Sequence, residues 1–190
     1  MNNISVQKVA KYKNAGQKGQ GDFMEFVVAF MAFFVAWKWG DWKNWQIYYP
    51  TILYFIIGDL VYIILTYNYP LWKCESVIVN NTFNDLLIAV VVYPSTVLLF
   101  LPYIPEKTTN QITYIVMWAI IYSVIEWVYY SLGYFSYHNG WNIGWSILFN
   151  FIMFPLLWLH YKKPLLAWPI SMVLAFLVII IFRIPFSSMK

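Results

Sequence analysis

Asp59 and Glu126 are carboxylic acids set inside long apolar runs, and no lysine or arginine lies at comparable depth to pair with either. Placing a charge at the centre of a bilayer costs about 2.5–3.5 kcal/mol on insertion scales. Each of these groups therefore needs a proton, hydrogen-bond donors, water or a bound cation. Helical spacing supplies companions. Trp118, Tyr122 and Glu126 recur every four residues, with Tyr129, Tyr130 and Gly133 following, while Asp59 shares a face with Tyr62 and Thr66. Asn142, Ser146 and Asn150 make a third series of the same period. Three polar stripes on three helices are expected to turn inward and line a site of carboxyls, tyrosines and amides, suited to a cation, a proton path or a polar organic ligand. The candidate ligand-binding residues are Glu126, Asp59, Tyr122, Tyr62, Trp118 and Asn150. The same residue types also bond helix to helix, and a protonated carboxyl can do so too. For the series at Asn142, Ser146 and Asn150 this structural role is the expected one.

The remaining polar residues point to less. Asp85 and Glu25 lie near helix starts, where a carboxylate caps the backbone or meets the helix dipole. His138 falls in a loop and His160 at a span end, and both are expected to be solvated or interfacial. Neither has a second ligand at metal-binding spacing, so no metal or other cofactor is expected. The single cysteine, Cys74, excludes an intrachain disulfide and a cysteine cage. No phosphate loop, HExxH or Ser-His-Asp pattern is present, and no catalytic residue is assigned.

The elements that must hold these residues follow from composition. The 190 residues are 62% hydrophobic and 11% charged, too few charges to cover a water-soluble surface. Apolar runs with short polar gaps match a hydrocarbon core of about 30 Å at about 1.5 Å per helical residue. The runs are continuous rather than alternating, which points away from a β-barrel. The expected fold is all-α: an integral membrane bundle of about six transmembrane helices at 22–39, 46–67, 84–103, 112–135, 141–161 and 165–182. Residues 1–21 form a basic tail, disordered or interfacial, 22–183 a single transmembrane domain, and 184–190 a short C-terminal tail. Pro50 is expected in the first turn of the second span, and the connections fall at 68–83, 106–111 and 136–140, with 76–79 along the interface.

Lys8, Lys11, Lys13 and Lys18 in the tail give an electrostatic hold on anionic lipid. Nothing in the tail resembles a folded basic face for nucleic acid, so no nucleic-acid partner is expected. Counted by side, Lys and Arg divide seven with the termini and five opposite, and the residues before the first span place both termini in the cytoplasm.

From residue 84 onward the chain resembles an uncharacterised family of small multi-spanning membrane proteins of endospore-forming Gram-positive bacteria. The resemblance is carried by Asn84-Asp85-Leu86-Leu87 leading to Tyr93-Pro94, by Glu126-Trp127, and by Tyr134, Tyr137 and Gly140-Trp141. It implies a bacterial cell membrane and added weight on Asp85 and Glu126, but no substrate. The lysine tail and the Trp-rich first loop have no counterpart in that family. Three functions are open: transport or binding of an ion or a small solute, cationic solutes included, at an interior site; a non-catalytic partner or assembly protein that meets another membrane protein or a second copy of itself; and an intramembrane lipid-modifying enzyme, which the lack of a second catalytic motif disfavours.

Overall fold

The structure, a computed structural model, describes residues 26–74 and 85–190. The tail lysines, Asp22, Glu25, Asn84 and the segment 76–79 lie outside the described residues. Among the described residues the fold is an all-α bundle with one small sheet. Its helices are α1 (Phe26–Trp39), α2 (Trp45–Leu65), α3 (Asp85–Tyr103), α4 (Thr108–Ser131), α5 (Ile143–Lys162) and α6 (Pro164–Ile181). Five of them, α2 to α6, are long and apolar enough to cross a membrane, and α1 is a shorter apolar helix. Large apolar side chains such as Phe30, Val90, Ile112, Met172 and Phe176 are exposed around the bundle. That surface suits acyl chains, and the chain is a membrane protein.

Local chemistry sets the helix ends. Asn142 is extended, and its side-chain oxygen accepts from the N–H groups of Gly144 (2.9 Å) and Trp145 (3.3 Å), capping α5. Pro164 opens α6, where its missing N–H is harmless. Helix α4 stops at Ser131, short of the expected 135, because Gly133 takes a positive φ of 78°. The Tyr134 and Gly133 N–H groups then turn back to the carbonyls of Tyr129 and Tyr130, both at 3.0 Å. Pro50 lies inside α2 rather than in its first turn, since a 3-10 turn at Trp42–Asn44 leads into the helix. In α3, Pro94 has no N–H to give, and a π turn at Ile88–Val92 widens the helix just before it.

The residues freed beyond α4 form strand β2 (Phe135–Tyr137), which pairs antiparallel with β1 (Trp72–Cys74) in the register Trp72↔Tyr137, Lys73↔Ser136, Cys74↔Phe135. Residues 72–74 beyond α2 and 135–137 beyond α4 are thus joined, where the sequence indicated two separate loops. The C-terminal segment joins the same end of the bundle: the Asn68 N–H donates to Ser188 at 3.0 Å and the Lys190 N–H to Ile64 at 3.1 Å. Leu71, Trp141, Phe182 and Ile184 pack beneath it. At the opposite end the Tyr103 hydroxyl donates to the Trp39 carbonyl, and the rings of Tyr48 and Tyr161 meet at 5.8 Å. Asp41, at that end, accepts from Asn44 and Tyr48, and the Asn44 bond in particular holds its carboxyl below the usual range.

Helix α5 packs on α4, α6 and α2, and α2 packs on α3. Their shared core holds Ile52, Phe55, Val97, Phe100, Phe154 and Leu157. Ala29 and Ala36 of α1 are buried, in keeping with small residues at a close helix approach. This alternation makes a topological prediction. With Cys74 replaced by serine, Lys107→Cys and Lys190→Cys in sealed cells should react with a membrane-impermeant thiol reagent from opposite sides. Labelling of both from one side would contradict the up-and-down order.

Candidate functional site

Glu126 lies five residues before the end of α4, about 7–8 Å along the axis at 1.5 Å per residue. It is therefore nearer the sheet end than the middle of the span. Its Oε1 accepts from the Tyr137 hydroxyl of β2 at 2.9 Å. Ser146 and Asn150 of α5 are its other hydrogen-bonding neighbours, and no cation faces it among the described residues. Those two residues have further ties: the Trp141 indole N–H donates to Ser146 Oγ at 2.8 Å, and Asn150 Nδ2 donates to Ser123 Oγ at 3.2 Å. The Tyr137 ring stacks on Tyr130 at 4.9 Å. Burial, reinforced by the Glu126 charge, pushes the Tyr137 hydroxyl well above its ordinary ionisation range, which keeps it a donor.

Asp59 sits six residues before the end of α2, in the same half of the bundle. Its hydrogen-bonding neighbour is Tyr93 of α3, and Asp85 at the start of α3 is close enough to feel its charge. The Tyr93 ring stacks on Phe55 at 4.0 Å. Tyr62, one turn beyond Asp59, is committed to the sheet. Its hydroxyl accepts from the N–H groups of Leu71 (3.3 Å) and Trp72 (3.0 Å) and donates to the Trp72 carbonyl at 3.1 Å, while the rings of Tyr62 and Trp72 lie parallel at 3.7 Å.

The six sequence candidates are thus divided. Glu126 and Asn150 meet across α4 and α5. Tyr122 is one turn away on α4, with its hydroxyl bonded to Thr96 of α3 and its ring edge against Phe154. Asp59 belongs to a separate cluster. Trp118 lies in the aromatic core beside Phe100 and Phe154, and its buried indole N–H has no partner among the described residues. The series on α5 is also divided, since Asn142 caps the helix while Ser146 and Asn150 reach Glu126. Tyr137 and Tyr93 are the contacts that helical periodicity could not supply. Tyr137 comes from a strand, and Tyr93 precedes a proline at a π turn, so neither lies on a regular stripe with its carboxyl.

Two grooves flank these clusters. One, between α1 and α3, is walled by Phe26, Ala29, Phe30, Phe33, Leu87 and Val91; the other, between α4 and α5, by Ile120, Val124, Trp127, Ile147 and Phe151 with Ser123. Both are apolar and open to the surface, and neither is lined by Glu126 or Asp59. No group of three metal-ligating side chains occurs among the described residues.

His160 departs from the expected solvated position. It is 4% exposed, its Nδ1 lies 3.0 Å from Thr51 Oγ1, and its ring stacks on Tyr54 at 4.1 Å. Lys162 and Lys163 reach the surface, but one half-turn earlier α5 is pressed against α2. His138 is exposed, with Nε2 at 2.9 Å from Ser136 Oγ.

No protein family, curated protein or solved structure matches this chain.

The Thr51–His160 pair yields a stability prediction. Thr51→Val leaves a buried ring nitrogen without its partner and should destabilise the protein by about 1–3 kcal/mol. Adding His160→Phe should recover part of that loss in a double-mutant cycle, read by unfolding in detergent. Additive losses would show that the hydrogen bond contributes nothing.

Proposed function

We propose that this protein is a multi-pass cell-membrane protein that takes up a proton or a small cation at Glu126 in the course of moving or binding a solute. The observation that carries this reading is the neutral surroundings of Glu126. Tyr137, Ser146 and Asn150 converge on the carboxyl from β2 and α5, and among the described residues no basic side chain neutralises it. Neutral donors can hold a carboxylate in place without cancelling its charge, so the site keeps an attraction for a positive occupant. Asn150 and Ser146 also carry oxygen atoms that suit a hard cation. Asp59, held by Tyr93, is a second acidic position in the same half of the bundle.

The lysine tail supports an orientation with both termini in the cytoplasm, which puts the sheet and the Glu126 end on the cytoplasmic side. The resemblance of the second half to membrane proteins of endospore-forming bacteria supports a bacterial cell membrane. A non-catalytic partner role is the second reading, favoured by the two open apolar grooves, which would seat a helix of another membrane protein or of a second copy.

Glu126→Gln separates the two readings, because it keeps the shape and an acceptor oxygen but removes the charge. The variant should fold normally. Wild-type protein in detergent should gain thermal stability from one of Na⁺, K⁺, Ca²⁺ or choline at fixed ionic strength, by about 2.7 kcal/mol at a hundredfold excess over Kd. For a proton site the same variant should lose a pH-dependent component of Tm. Identical responses of wild type and variant to every cation and to pH would refute a charge-binding role and favour the partner reading.

A further inference from the structure

The β1–β2 sheet is fixed to the membrane helices by two tyrosines, one for each strand. Tyr62 of α2 holds the Leu71 and Trp72 N–H groups and the Trp72 carbonyl, and its ring is stacked flat on Trp72. Tyr137 of β2, the register partner of Trp72, reaches down to Glu126 at 2.9 Å. Across the top, the His138 N–H donates to the Leu71 carbonyl and Asn139 Nδ2 to the Pro70 carbonyl, both at 2.8 Å. A two-stranded ladder of three residues per strand is marginal without such anchors.

The two anchors differ in kind. Tyr62 bonds backbone groups, whose hydrogen-bonding capacity is fixed. Tyr137 bonds an ionisable carboxylate, whose capacity depends on what else it holds. A proton or cation at Glu126 weakens the bond to Tyr137: on Oε1 it takes the lone pairs that the hydroxyl uses, and on Oε2 it withdraws charge from them. Among the described residues, Tyr137 from β2 and Ser146 and Asn150 from α5 face this carboxyl, and Tyr137 is the ionisable one among them.

We infer that the β1–β2 sheet is a latch over the Glu126 end of the bundle, closed by the Tyr137–Glu126 hydrogen bond and loosened when a positive occupant joins that carboxyl. The inference rests on the reading of Glu126 as a charge-binding site. It adds that occupancy of the site is passed to the two strands. No bond within the protein is made or broken except hydrogen bonds: the Tyr137 O–H leaves Oε1 for its other neighbour, the Ser146 hydroxyl, and the occupant is held by the carboxyl.

The single cysteine, Cys74, ends β1 opposite Phe135 and is a built-in reporter of the sheet. The test is the rate of Cys74 alkylation by N-ethylmaleimide in the full-length protein in nanodiscs, with circular dichroism as a check on folding. Tyr137→Phe should raise the rate roughly fivefold to tenfold, the effect of one lost hydrogen bond. Tyr62→Phe should raise it as well, through the other anchor. For a cation, saturating Na⁺, K⁺, Ca²⁺ or choline, against N-methylglucamine at the same ionic strength, should speed labelling of wild type and of Tyr62→Phe, but not of Tyr137→Phe. For a proton, the ratio of the Tyr137→Phe rate to the wild-type rate should fall toward one on acidification. Equal rates in wild type and both tyrosine variants would overturn the latch. A cation that stabilises wild type but leaves its Cys74 rate unchanged would overturn the coupling while the Glu126 reading stood. No response to any cation or to pH, in stability or in labelling, would remove the Glu126 reading and this inference with it.

Discussion

Inside hydrocarbon there is no water to satisfy a polar group, so every hydroxyl, amide and carboxyl that enters must find its partner within the protein. Two solutions recur throughout this bundle. Small hydroxyls fold back on their own helices: Thr66 to the Tyr62 carbonyl, Thr96 to Val92, Ser123 to Ala119 and Ser171 to Ala167, each four residues earlier. Tyrosines instead reach between elements. Tyr122 joins α4 to α3, Tyr54 joins α2 to Ser171 of α6, and Tyr114 reaches the Leu99 and Phe100 carbonyls at the α3 turn. The long phenol suits this work, because its ring packs with apolar neighbours and only its tip needs a partner.

The carboxyls are the extreme case of the same constraint. A buried ion pair would neutralise Glu126 but would also fix its charge state. Neutral donors leave the charge open to change. The protein meets Glu126 and Asp59 with tyrosines, Tyr137 and Tyr93, each from another element, so each acid is hydrogen-bonded by a neutral donor. The sheet is a consequence of this arrangement, since it is what carries Tyr137 from the surface loop to the carboxyl.

Packing between the helices cannot draw on apolar burial from water, because lipid tails are themselves apolar. Close shape fit takes its place. Ala119 and Ala167 are fully buried and let backbones approach, while Phe100, Trp118, Tyr122 and Phe154 interlock edge to face in the space between α3, α4 and α5. The same economy explains the hidden histidine. The ring of His160 is stacked on Tyr54 and hydrogen-bonded to Thr51, so its polar atom is answered where α2 and α5 meet.

By itself the sequence determined that this is a helical membrane protein, and that Asp59 and Glu126 are its costly residues. Both conclusions depend on local properties, the length of apolar runs and the type of residue within them. Helical spacing also placed Glu126 one turn from Tyr122, and Ser146 one turn from Asn150, because the period of a helix is fixed. It could not place Tyr137, Tyr93 or Thr51, which meet their partners from other elements. Nor did it pair 72–74 with 135–137, since a three-residue strand leaves no periodic trace and its register is set by the helices that bring the loops together. The helix-ending turn at Gly133 was legible in principle, but a glycine within an apolar run reads equally as a close helix contact. Only the tertiary structure decided that α4 stops there, freeing the short strand from which Tyr137 reaches Glu126.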